Sequence, residues 1–122
     1  MSLALLALAL TTGQTGPTAQ DVATPPRGDI LFGFYRVKAF RERSDDLRCG
    51  GNDKRAADAE MDSIRHRLIE RYGKAAFSPP RGQPSGPGDC RVVMTVYRTN
   101  LNDYRKLVDV TLAKAAATKD QE

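Results

Sequence analysis

The sequence predicts a mainly α fold, a small helical domain of two to three helices linked by one disulfide. Three observations predict it. Apolar residues recur at helical spacing in three separate stretches. Cys49 and Cys90 are the only cysteines. The chain also opens on an unbroken apolar run, residues 3–10, followed by a small, polar stretch, residues 11–20, with the first charge at Asp21. That layout is the one an export signal has, and export takes the two cysteines out of a reducing cytoplasm. The alternative is an α+β fold, with strands near residues 30–40 and 91–98.

Residues 1–20 read as a Sec-type signal peptide. An apolar run of eight residues is short of the roughly 20 that a spanning helix needs. The expected cut follows Gln20, after the loosely small-x-small Thr18-Ala19-Gln20. Met1-Ser2 departs from the pattern, because such signals normally begin with Lys or Arg. No later segment reaches spanning length, so the mature protein is expected not to be transmembrane, and its location to be periplasmic or secreted. Residues 21–28 form a flexible lead-in, and residues 29–117 a single small domain.

The first stretch, residues 29–47, supports two readings. Ile30, Phe34, Val37, Phe40 and Leu47 fall near one helical face. Leu31, Gly33, Tyr35, Val37 and Ala39 also alternate with Arg36 and Lys38, as in a strand. Gly33 costs a helix about 1 kcal/mol relative to Ala. A helix is favoured, ended by Gly50-Gly51. The second stretch, residues 53–72, carries Ala57, Met61, Ile64, Leu68 and Tyr72 on one face, widened by Ile69. Asn52 or Asp53 can cap its start, and Gly73 stands where a left-handed residue ends a helix.

Residues 78–88 read SPPRGQPSGPG, a composition that excludes a helix interior or a central strand. The third stretch, residues 90–117, carries Val93, Tyr97, Leu101, Tyr104, Val108, Leu112 and Ala115 in continuous helical phase, with Asp89 as the cap. A strand at 91–98 is the competing reading, since Val92, Val93, Thr95, Val96 and Tyr97 favour strands. Residues 118–122 form a polar tail.

In an oxidising compartment Cys49 and Cys90 most simply pair with each other. Their bond would hold the starts of the second and third helices together. The central helix is about 30 Å long, so the Pro/Gly loop must return that distance, and the two helices must run in the same direction.

The functional reading is mostly one of exclusion. The chain carries a net charge of +4. Residues 27–72 mix both signs densely, whereas residues 73–106 are mainly basic. Lys74, Arg81, Arg91, Arg98, Arg105 and Lys106 form the candidate anion-binding set. Nucleic acid is disfavoured, because no helix carries a basic stripe interleaved with aromatics. Asp58, Asp62, His66 and Glu70 recur every four residues, a row from which carboxylates and an imidazole could converge on a metal. Arg55, Arg65, Arg67 and Arg71 stand around it, so a solvated ion-pair face is the favoured reading and no metal or other cofactor is expected. Two cysteines without CxxC spacing make neither a zinc site nor a redox centre. There is no GxSxG, GxGxxG, P-loop or HExxH. The expectation is an exported, non-catalytic protein that binds a protein or envelope component. The alternative is a cationic protein that associates with membranes or polyanions.

Overall fold

The computed structural model describes residues 25–82 and 86–121, with side chains through residue 117. The expected signal peptide, residues 1–20, and residues 21–24 of the lead-in lie outside the described residues. The described chain is helical: α1 (Gly28–Asp46), α2 (Asn52–Tyr72), a short 3-10 turn (Ala75–Phe77) and α3 (Cys90–Gln121). There is no strand among the described residues, so both stretches with strand-like composition are helical. Residues 91–98 are settled by phase: Val93, Tyr97, Leu101, Tyr104 and Val108 are all buried along one stripe. α3 also continues as helix past residue 117, so the polar end of the chain stays helical through Gln121.

Cross-helix bonds fix the directions. Asp53, Glu60 and Arg67 of α2 pair with Arg98, Arg105 and Asp109 of α3 at 3.1, 3.3 and 2.8 Å. Residue numbers rise together on both helices, so α2 and α3 run parallel. α1 opposes both. Lys54 pairs with Asp45 at 2.5 Å and Arg41 with Asp62 at 2.7 Å. At the far end of α1, Tyr104 donates its hydroxyl to the Ile30 carbonyl at 2.6 Å. Cys49 and Cys90 are joined, with their Cα atoms 5.5 Å apart, where α1 ends and α3 begins.

Two helix ends differ from expectation. The left-handed residue that stops α1 is Arg48, φ 58°, not a glycine. The Arg48 amide donates to Asp45 and the Cys49 amide to Ser44, both at 2.9 Å, which is the double-bonded Schellman stop. α2 starts from Gly51, with no capping bond from a side chain. The Asn52 amide oxygen accepts from Arg55 instead. α3 starts as its sequence suggests, with Asp89 Oδ1 accepting the Arg91 amide at 2.7 Å.

The core is the junction of the three stripes. Ile30, Phe34 and Val37 of α1, Met61, Ile64 and Leu68 of α2, and Val93, Tyr97, Leu101 and Val108 of α3 are each almost fully buried. Phe77, from the 3-10 turn, closes it edge-on against Phe34, ring centroids 5.2 Å apart.

The Pro/Gly segment is bound along α1. Tyr35 donates to the Ala76 carbonyl at 3.4 Å, Lys38 to Pro80 at 3.2 Å, and Arg43 to Pro87 at 2.9 Å. Glu42 accepts the Gly82 amide at 3.2 Å, and Arg81 pairs with Asp46. The segment thus travels beside α1 in the same direction, returning the chain from the end of α2 to the start of α3. A proline carbonyl is a full acceptor although proline donates nothing, which is why prolines can be held this way.

Candidate functional site

The acidic row of α2 divides in the structure. Asp58 turns inward. Its Oδ1 accepts the Tyr97 hydroxyl at 2.7 Å, its Oδ2 accepts from Lys54 at 2.6 Å, and Arg41 stands 3.4 Å away. Asp62 takes the other arm of Arg41. His66 and Glu70 pair only with each other, at 3.4 Å, on an exposed face where their side chains are 74 % and 67 % accessible. Among the described residues no group of three or more His, Cys, Asp or Glu is arranged to hold a metal ion. Asp58, the least exposed carboxylate of the row, is already enclosed by three donors.

That enclosure is a buried polar node joining all three helices. Lys54 is only 6 % exposed and bridges Asp45 and Asp58. Tyr97 is fully buried. Its burial, followed by its hydrogen bond to Asp58, holds the phenol well above the usual tyrosine range. Tyr104 is raised likewise, first by its own burial and then by the Asp29 charge. Both rings lie on the apolar stripe of α3, and the hydroxyls are what the stripe alone did not reveal. Each hydroxyl finds an acceptor inside the bundle, an ordinary use of tyrosine in a core.

The six basic residues of the candidate anion-binding set stand apart. Arg81, Arg98 and Arg105 pair with Asp46, Asp53 and Glu60. Arg91 lies beside the disulfide at the start of α3, whereas Lys74 follows the opposite end of α2 and Lys106 lies further along α3. They do not converge on one ligand.

A concavity lies elsewhere, between α1, α2 and the Pro/Gly segment. It is a cleft of about 390 Å³ whose floor includes Phe34, Met61 and Phe77, with Lys38, Arg41, Arg65 and Arg81 on its walls beside Glu42, Asp45 and Asp62. Arg65 donates to the Phe77 carbonyl and the Ser78 hydroxyl, both at 2.8 Å, tying the segment to α2. The other cations in the cleft are met by carboxylates: Lys38 by Glu42, Arg41 by Asp58 and Asp62, and Arg81 by Asp46. The cleft thus sets ion pairs around an apolar floor, with Arg65 held by uncharged acceptors. Sequence reasoning missed this cleft because Phe77 belongs to no periodic stretch. A lone aromatic just before a proline pair was the one available signal.

Among the described residues the most exposed large hydrophobic one is Phe32, on the outer face of α1 at 69 % accessibility. Tyr35, one turn on, is partly exposed, and Val92 and Val110 are exposed on α3. No helix among the described residues is long and apolar enough to cross a membrane. Comparisons with protein-family models, curated proteins and solved structures give no match.

Proposed function

We propose that this protein is exported to an oxidising compartment, periplasmic or extracellular, and acts there by binding a protein or envelope component rather than by catalysis. The Cys49–Cys90 bridge carries this reading. In an oxidising compartment such a bond persists, and a small domain gains from it what a modest core cannot supply alone. The apolar opening of the sequence, read as a signal peptide, supports the same conclusion. The non-catalytic part rests on how the reactive side chains are used: Asp58, Asp62, Lys54 and Arg41 are bonded to one another across the helices.

Intact-mass measurement of natively isolated protein, with and without reduction before alkylation, tests the export reading. A chain lacking the leader and accepting alkyl groups only after reduction is the expected result. A full-length chain with two free thiols overturns it.

A second reading, association with anionic surfaces, is favoured by one observation. Arg36, Lys74 and Lys106 are exposed and have no carboxylate partner among the described salt bridges.

A further inference from the structure

We propose that the outer face of α1, in its N-terminal half, docks on an anionic phospholipid surface through Phe32, Tyr35, Arg36 and Lys74. This deepens the second reading above and rests on the protein meeting the envelope from outside the cytoplasm.

Phe32, Tyr35 and Arg36 share the outer face of α1, and the turn that begins at Lys74 is tied to it. Phe32 and Arg36 are one helical turn apart on α1, at the i,i+4 spacing that makes them neighbours. Tyr35 flanks them, and its hydroxyl holds the Ala76 carbonyl, which brings the turn containing Lys74 to this side of the bundle. A shallow groove of about 150 Å³ beside Tyr35 continues the apolar surface over Ala39, Pro79 and Pro80.

The charges decide the sign of the partner. Neither Arg36 nor Lys74 has a carboxylate partner among the described residues, whereas Asp29 is paired with Arg27, and Glu42 with Lys38. The patch is therefore aromatic and positive. Phosphate-bearing headgroups complement it, and an exposed phenyl ring reaches the apolar boundary just beneath them. A protein partner would have to offer the projecting Phe32 a pocket of its own, and its binding would not depend on the charge of a lipid surface.

The test is flotation of natively isolated, oxidised protein with vesicles of phosphatidylcholine alone, or of phosphatidylcholine and phosphatidylglycerol in equal parts. At low salt the protein should float with the mixed vesicles and not with the neutral ones. Arg36→Gln and Lys74→Gln should each weaken binding about fivefold, and Phe32→Ser should weaken it further. Arg55→Gln, at the opposite end of the bundle, should leave binding unchanged. Helical circular dichroism shows that each variant is folded. Absence of flotation with mixed vesicles overturns the proposal, as does flotation that survives the combined Phe32, Arg36 and Lys74 changes. Retention on heparin that ignores Phe32→Ser, without vesicle binding, assigns the patch to a polyanion instead. Failure of the export reading would show separately, as free thiols in native material.

Discussion

The ring of Tyr104 fills the space in which a side chain on Gly33 would stand. A Cβ built at Gly33 lies 2.7 Å from both Cδ1 and Cε1 of that ring, closer than carbon atoms can approach. The same ring is anchored by its hydroxyl to the Ile30 carbonyl, so it has little room to move aside.

Gly33→Ala therefore sets two effects against each other. Alanine improves helix propensity by about 1 kcal/mol. Overpacking a tight contact costs about 1–3 kcal/mol. With an aromatic ring held at its far end, the second should win, for a net loss of up to about 2 kcal/mol. Urea denaturation measures it, and a raised midpoint would refute the packing argument.

Arg48 invites the reverse substitution. It holds φ 58° without being glycine, at the left-handed position of the α1 stop. That conformation costs an L-residue about 1–2 kcal/mol, offset in part by the greater chain entropy of unfolded glycine. Arg48→Gly should stabilise the fold by about 0.5–1 kcal/mol on these figures. Loss of stability in thermal unfolding would mean that the Arg48 side chain makes a contribution the backbone does not reveal.

Reduction of the Cys49–Cys90 bond releases a cross-link between residues 41 apart in sequence. The chain-entropy model assigns such a loop about 4 kcal/mol. The Cys49→Ser, Cys90→Ser variant should lose that much in guanidinium unfolding, a large part of what a small domain possesses. A loss below about 1 kcal/mol would show that the helices need no clamp.

Alkaline pH should unfold the protein through its buried phenols. Tyr97 and Tyr104 both have raised pKa values, burial first among the causes. A raised value means that the folded state holds the proton more tightly than the unfolded chain. The resulting stability is complete below the ordinary tyrosine pKa of about 10 and is lost as pH rises beyond it. Each group can contribute a slope of up to about 1.4 kcal/mol per pH unit. Stability measured from pH 8 to 12 should fall less steeply for Tyr97→Phe and Tyr104→Phe than for the natural chain. An identical alkaline slope in the double variant would place the titration elsewhere.

Much of the architecture can be read from apolar spacing and two sulfurs. The stripes on α2 and α3 are long and uninterrupted, and the joined cysteines require the parallel course that the Arg98, Arg105 and Asp109 bridges display. α1 was ambiguous for a physical reason. Gly33 interrupts its pattern to admit Tyr104, which a one-dimensional pattern counts as a defect.

The candidate site was much less legible. A row such as Asp58, Asp62, His66 and Glu70 says which residues share a side of a helix, but not which cations a neighbouring helix presents to them. Arg41 meets Asp58 because α1 crosses there, and Lys54, one turn earlier on α2, is drawn in between Asp58 and Asp45 of α1, whereas His66 has only Glu70 of its own helix among the described ion pairs. The Pro/Gly segment hid its role in the same way. Several of its bonds are made by backbone carbonyls and an amide, and sequence identity says nothing about those.

The position of the sulfur bond has a consequence for proteolysis. Everything between residues 50 and 89 lies inside the ring that it closes. A protease cutting once there, at exposed Arg81 for example, would put α1 and α3 on separate polypeptides yet leave one covalent molecule. On a non-reducing gel the nicked form would run as a single species, and only a reductant would part it into two. A protein built this way can survive a wound in its longest connection without shedding a helix.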